Sequence, residues 1–471
     1  MKRLRVVFLL CSTSIFSCSD EEISTPALDS SPQFRWANSL EGPGDEDEID
    51  AVASDGEGNV YLSGKFESEL LVEGQPERLV SNGMADIMVV KYNQEGIWQW
   101  TRQFGGLGED NIFDADCDSK GNLILSGYFQ GSVQFGGFAL TSRGGFDMLV
   151  LKISPDGEVL NAVQLGGTGN DGGNELEIGN SDQVIIGAQS DGNFERLPNT
   201  GLQDAYIISM TSDFSVSWIR SVEGAGIARA KAVETDDFGN VYLGGDYVND
   251  NSISNAGTVN AFKNSEGADA YLASWSANGN LRWVKNWGGT GSDLCKGIVT
   301  TSQNDIYVVG QFTSAVDFDD SQLVTDVGTQ DLFIWMLEND GSPRWLRQIK
   351  ASENLTGAEV TIDDLDNLYF GLGISGVVDF QSNETDFESI SSCGGKNCPV
   401  LIQYSANGNF ITHIQADQSQ DARFGELSFS QNTIFIDCVF TGGQHSVGNS
   451  LLQSQNGTKD AAIVAISLST K

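Results

Sequence analysis

Only two histidines, His413 and His445, stand in the 471 residues, and neither lies in a motif shared with a serine or cysteine nucleophile, so a histidine-based triad is not expected. No Walker-type glycine loop is present. Proline is scarce, 8 residues against 55 glycines, and helix formers are concentrated nowhere. Short Val/Ile/Leu/Phe/Tyr runs separated by Gly, Asn and Asp read instead as an all-β chain with almost no helix after residue 20. Positive charge is also short: 26 Lys+Arg face 65 Asp+Glu, a formal charge of −39. Such a surface repels nucleic acid and anionic headgroups and leaves neutral glycans, cations or basic protein surfaces as partners. An acidic surface is equally the common solution for keeping a secreted protein soluble.

The chain opens with Lys2, Arg3 and Arg5, then an apolar stretch over 6–16, the pattern of a secretory signal too short to span a membrane. "IFSC" resembles the lipobox of bacterial lipoproteins, which implies a signal peptide over 1–17 and lipid attachment at Cys18. The following "SDEE" resembles the acidic export tag of Bacteroidota-type lipoproteins and implies an outer-membrane anchor facing the cell exterior; an ordinary periplasmic lipoprotein is the alternative. Residues 18–33, polar and carrying Pro26 and Pro32, read as a flexible tether. Of the seven cysteines, Cys11 leaves with the signal and Cys18 carries lipid. Cys393 and Cys398 in "CGGKNC" are close enough for a disulfide across a glycine turn; half a metal site is the alternative, without a second pair or a nearby histidine to support it. Cys117, Cys295 and Cys438 read as small buried residues.

Trp36, Trp100, Trp218, Trp283 and Trp345 mark copies of one sentence, 62 to 65 residues apart where neighbouring copies both carry the tryptophan. Two further copies begin near Asn161 and Thr412, making seven. Each copy runs Trp-led strand, glycine turn, apolar run, Asp/Asn/Gly turn, a Tyr/Ile/Val run, a long polar loop, then "D" with an apolar run. Four strands per period is one propeller blade, so residues 34–471 are expected to form a seven-bladed β-propeller of four-stranded antiparallel blades. The last copy stops at a third strand, "DAAIVAISLSTK", while residues 34–41, "FRWANSLE", supply a Trp-led strand with no preceding three. The N-terminal strand is therefore expected to pair in the last blade and close the ring.

The pattern resembles the bacterial SBBP propeller repeat, whose signature combines a Trp-led strand, "GG.G.D", "D..GN.Y..G.F" and "D.F..K". Copy one carries it as "DGEGNVYLSGKF" with "DIMVVKY", and copy two as "GGLGED", "DSKGNLILSGYF" and "DMLVLKI". The resemblance implies the fold and no single activity.

Acids follow the glycine turns at Asp47, Asp110, Asp171, Asp293 and Asp421, with Ala228 and Leu355 in the other two copies. Crowded at a channel mouth they would make a cation or polar-ligand ring; the simpler alternative is that each caps its own turn. A second series, Asp86, Asp147, Asp204, Asp269, Asp331 and Asp460, replaced by Cys398 in copy six, reads as structural. "DGEGN", "DSKGN" and "DDFGN" lack the further acids of a calcium loop and read as β-turns. The long loops over 67–85, 130–146, 249–268, 313–330 and 375–397 are where recognition is expected, with Phe135, Phe138 and Phe262 as rings that could stack on sugars or pack within their loops. No catalytic residue, metal or cofactor is assigned. The expected function is a monomeric, cell-surface binding or scaffold propeller recognising a glycan or an envelope protein. The alternative is an extracellular carbohydrate-active hydrolase or lyase using carboxylates on the same face.

Overall fold

The computed structural model describes residues 32–468 apart from short stretches at 44–46, 256–257, 263–265, 320, 326–328, 354, 382–385, 393–396, 417–421 and 448–449. Among the described residues the helical content is one 3-10 turn, Asn180–Asp182, and the rest is strand and turn. The repeating unit is set out by β1 (Gln33–Glu41), β2 (Glu48–Ser54), β3 (Val60–Val72), β4 (Leu79–Tyr92) and β5 (Trp98–Phe104). Strands β2 to β5 pair antiparallel in chain order, with β2 innermost. The same order recurs in the units that begin with Asn111–Cys117, Asp171–Gly179, Ile227–Thr235, Leu294–Thr300 and Leu355–Ile362. These inner strands lie side by side in sequence, and the inner strand Ala422–Ser430 lies against β2. Four-stranded antiparallel units around a shared inner wall are a β-propeller.

Residues 60–62 of β3 and 87–90 of β4 are unbroken buried apolar runs because both faces of a blade are covered by neighbouring blades. The cores accordingly sit between units: Ala51, Tyr61 and Val89 pack with Ile112, Leu125 and Leu149 of the next. Leu40, Leu62 and Val90 pack in the same way with Phe435, Ile463 and Ala465 from the end of the chain. β1 belongs to that end. It pairs antiparallel with Ser450–Ser467, from Gln33 opposite Ser467 to Leu40 opposite Ala461, and its last residues also pair with Leu71 and Val72 of β3.

The recurring tryptophan is explained by what its indole N–H meets. Trp36 Nε1 donates to the Gln94 carbonyl at 3.0 Å, Trp100 to Pro155 at 2.9 Å, Trp218 to Ala277 at 2.9 Å and Trp283 to Asn339 at 3.1 Å. Each of these four outer strands thus pins the turn between the third and fourth strands of the following unit. Two residues on, Arg102, Arg220 and Arg347 donate Nε to the carbonyls of Gly157, Gly279 and Gly408 and lie over the rings of Trp100, Trp218 and Trp345 at 5.2–5.5 Å. The pinned turn needs glycine: Gly96 sits at φ +77, and a Cβ there would stand 2.6 Å from the Trp36 ring.

"DGEGN" and its kin are side-chain-capped turns. Asp55 accepts from the backbone N–H of Glu57 at 3.0 Å and Asn59 at 2.9 Å, and from the Asn59 amide at 2.7 Å; Asp118 and Asp236 repeat the arrangement. The long loops differ from expectation. They are β-hairpins, such as Ser132 opposite Thr141 through Phe135 opposite Phe138, and several pair with the outer strand of the preceding unit, as Ile349 does opposite Phe380. Their Ser, Asn and Gly content reflects exposure of the hairpin rather than irregular backbone. Phe135 and Phe262 are buried in these hairpins, and Phe138 packs on the adjoining core, so of the two alternatives these rings take local packing and not a sugar-stacking surface.

Candidate functional site

Every inner strand carries a β-bulge, a register shift that falls between Ile49 and Ala51, Ile112 and Asp114, Gly173 and Glu175, Ala230 and Ala232, Cys295 and Gly297, Gly357 and Val360, and Phe424 and Leu427. A bulge inserts one residue and re-aims the side chains beside it. Here the strands meet a central cavity of about 290 Å³, lined by Asp114, Asp116, Glu175, Glu177, Glu234, Glu359 and Glu426.

Part of this acid set does structural work on the open edges of the inner strands, whose amide N–H groups have no further strand to pair with. Asp114 accepts from Ala115 N–H at 2.7 Å and, across the unit boundary, from Leu176 N–H at 2.6 Å. Asp116 accepts from Cys117 at 2.6 Å and from Ile178 at 3.0 Å. Glu234 accepts from its neighbour Thr235 at 2.8 Å. Even so, burial dominates the proton affinities. It lifts Asp114 to about 8 against the pull of the Leu176 and Ala115 amides, with the charges of Asp116 and Glu359 adding to the rise. Burial lifts Asp116 to about 6 and Glu234 to about 8. Glu359 rises to about 7 by burial, moderated by Lys296 and Lys231. Glu175, Glu177 and Glu426 are raised by burial and then by the other acids. The wall is one proton-holding cluster with two lysines facing it.

The acids of the glycine turns stand at those turns and do not line the cavity. Asp47, Asp110, Asp171 and Asp293 are buried and spend oxygens on backbone amides. Asp110 accepts from Gly106 at 2.8 Å and Gln130 at 3.0 Å; Asp293 from Gly289 at 2.8 Å and Thr313 at 3.2 Å. Asp47 accepts from Glu67 at 2.9 Å and Asp171 from Gly167 at 2.7 Å. Each ties its turn within the unit, the geometry of a cap. Asp110→Ala is therefore expected to strand two part-buried N–H groups and cost about 1–2 kcal/mol, read as a lower urea midpoint; an unchanged midpoint would refute the capping role. The second acid series acts likewise: Asp86 takes the amides of Asn82 and Gln103, and Asp147 those of Arg143 and Gln164. Cys398 is disulfide-bonded. Cys18, Cys393 and Asp421 lie outside the described residues. Among the described residues no group of three or more His, Cys, Asp or Glu side chains is placed to hold a metal ion.

The wall acids escape a reading centred on the glycine turns, yet the sequence does signal them. They are the acids standing inside the first apolar run of five of the copies, as in "NIFDADC", "NELEIG" and "GELSF".

Propeller is the class that the sheets define. No known family model matches the chain. It is 25% identical over 364 residues to the regulatory protein FlaEY of Caulobacter vibrioides, a match that covers 71% of this chain and 37% of that protein. The chain thus spans little more than a third of the length of that relative. Among solved structures it is similar to virginiamycin B lyase from Staphylococcus aureus, at 9% identity and a TM-score of 0.41 over 91% of this chain and 98% of that one. It is also similar to quinohemoprotein alcohol dehydrogenase from Comamonas testosteroni, at 8% identity and a TM-score of 0.43 over 94% and 77%. Likeness at this level carries no argument about activity.

Proposed function

We propose that the protein is a seven-bladed propeller closed by β1 in the last blade, anchored through lipid on Cys18 to the outer membrane, facing the cell exterior. In this reading it is a non-catalytic scaffold that binds a glycan or an envelope protein on the hairpin face. The supporting observation is that this face is framed by hairpins tied to neighbouring units, as at Glu223 opposite Ser252 and Ile349 opposite Phe380, while the acids nearest to it hold backbone amides. A rigid frame carrying hairpins that differ from unit to unit is a recognition surface. The Cys393–Cys398 disulfide would close one of the turns leading to that face.

A second reading, a carbohydrate-active hydrolase or lyase, is supported by one observation: Asp114, raised to about 8, lies beside Asp116, raised to only about 6, so the wall could offer a proton-bearing and an ionised carboxyl together. One screen separates the two. The purified chain is passed over immobilised glycans and envelope proteins, and the same glycans are assayed for new reducing ends or unsaturated products. Retention without turnover is expected; turnover that Asp114→Asn abolishes would replace the binding reading with the enzymatic one, and neither retention nor turnover would sink both.

A further inference from the structure

Beginning at Phe113, the chain neighbour of the cavity-lining Asp114, stand three half-buried rings that belong to none of the hydrophobic cores. Phe113 occupies the bulge of the inner strand Asn111–Cys117, between Ile112 and Asp114. Tyr128 lies opposite Asn111, and Phe146 opposite Gln130 at the base of the hairpin. The Phe113 and Tyr128 rings are 5.3 Å apart and the Tyr128 and Phe146 rings 4.7 Å apart, each pair tilted by 55°. Beside Phe113 stands Gly172, where a Cβ would find room, 3.5 Å from Asn174 Oδ1 and 3.8 Å from the ring. Three large apolar rings left partly in water, in a protein that buries most of its aromatic side chains, form a surface that is stabilised by cover.

Polar groups border these rings. Tyr128 OH donates to Glu109 Oε1 at 2.7 Å, and Lys65 Nζ stands 4.0 Å from the same carboxylate. Asn111 donates its amide to Asp50 at 3.0 Å on the preceding strand. Apolar faces bordered by fixed acceptors and donors suit a pyranose, which has a C–H face and a hydroxyl edge. The surrounding carboxylates, Glu109, Asp50 and the cavity wall below, disfavour an anionic sugar.

We propose that Phe113, Tyr128 and Phe146 form a carbohydrate subsite for a neutral glycan, with the sugar's C–H face on the rings and its hydroxyls on Glu109 and Lys65. This rests on the glycan-binding reading above and gives it a location and a class of sugar. The test is calorimetric titration of the full chain with cellohexaose, xylohexaose, mannohexaose, chitohexaose, hexagalacturonate and spermine, repeated with Phe113→Ala, Phe146→Ala and Tyr128→Phe. At least one neutral hexaose is expected to bind, hexagalacturonate is not, and either alanine variant should weaken binding about tenfold or more, with melting temperatures close to the parent's. Tyr128→Phe, which keeps the ring and frees Glu109, should have the smaller effect. Neutral sugar binding that ignores both alanine variants would refute this subsite and leave the glycan reading standing. Binding of none of the neutral hexaoses would refute both. Spermine binding that the same variants abolish, without sugar binding, would reassign the rings to an organic cation and overturn the proposal.

Discussion

Removal of residues 33–41 is expected to lower the melting temperature by about 5 °C or more, whereas removal of residues 19–31 should leave it almost unchanged. The first deletion takes away β1 and with it the ladder to Ser450–Ser467. It also removes Leu40 and Ala37 from cores in which they are almost fully buried, leaving Ile463 and Ala465 with an uncovered flank. Trp36 is lost as well, with its bond to Gln94 and its contacts to Tyr92 at 6.3 Å and Phe435 at 6.0 Å. At about 25 cal/mol per Å² of apolar surface, these losses come to several kcal/mol, comparable with the roughly 5–15 kcal/mol that holds an ordinary domain folded. Scanning calorimetry of the two truncations decides the matter. Equal melting temperatures would mean that β1 decorates the last sheet without supporting it.

The second large effect is a loss of stability as pH rises from about 5 to 8. The wall and turn carboxylates have folded-state affinities lifted to about 6 for Asp116 and Asp110, about 7 for Glu359 and Asp293, and about 8 for Asp114 and Glu234. In the unfolded chain such groups release protons near pH 4. The folded state therefore holds more protons between these limits, its advantage is complete below about pH 4, and it is lost as pH climbs through the folded values. A tenfold rise in the proton affinity of one group is worth about 1.4 kcal/mol. The cavity admits solvent and the acids share neighbours, so a total of about 3–5 kcal/mol is expected rather than the sum over independent groups. Urea midpoints at pH 5, 6.5 and 8 should fall in that order, and Glu175→Gln with Glu426→Gln should flatten the series and stabilise the protein at pH 8. A midpoint that rises toward pH 8 would show that the wall is already ionised and compensated.

Much of this molecule was readable from period and punctuation. The middle strands announce themselves as unbroken apolar runs, the "DGEGN" turns by an Asp two and four residues before the amides that it caps, and the partner of β1 by the phase of the repeat. The wall was less accessible. Whether Asp114 or Phe113 turns toward the cavity depends on a one-residue bulge, and a shift of one residue exchanges the faces of a strand. Asp110 and Asp293 left two readings open for a related reason: a recurring acid beside a glycine turn has the same spelling whether it meets a ligand or an amide, and the simpler alternative, the cap, is what the structure shows. Phe135 and Phe262 looked exposed because their neighbours are polar, yet the hairpins fold them inward, and the rings left half-buried, Phe113, Tyr128 and Phe146, sit in strands whose sequence resembles every other unit.

The tryptophan joints also have a direction. At four joints the indole donor points forward to the turn of the following unit, and Trp36 meets Gln94 with the same atoms and nearly the same length as Trp100 meets Pro155. The joint at β1 therefore shares the indole contact of the internal joints and differs two residues on, where Asn38 donates to the Gly96 carbonyl at 2.8 Å in the place that Arg102 takes against Gly157. Such a joint depends on how two neighbouring units sit and not on the covalent link between them, so under the proposed ring closure a permuted gene opened at the turn around Gly279 is expected to keep its indole couplings.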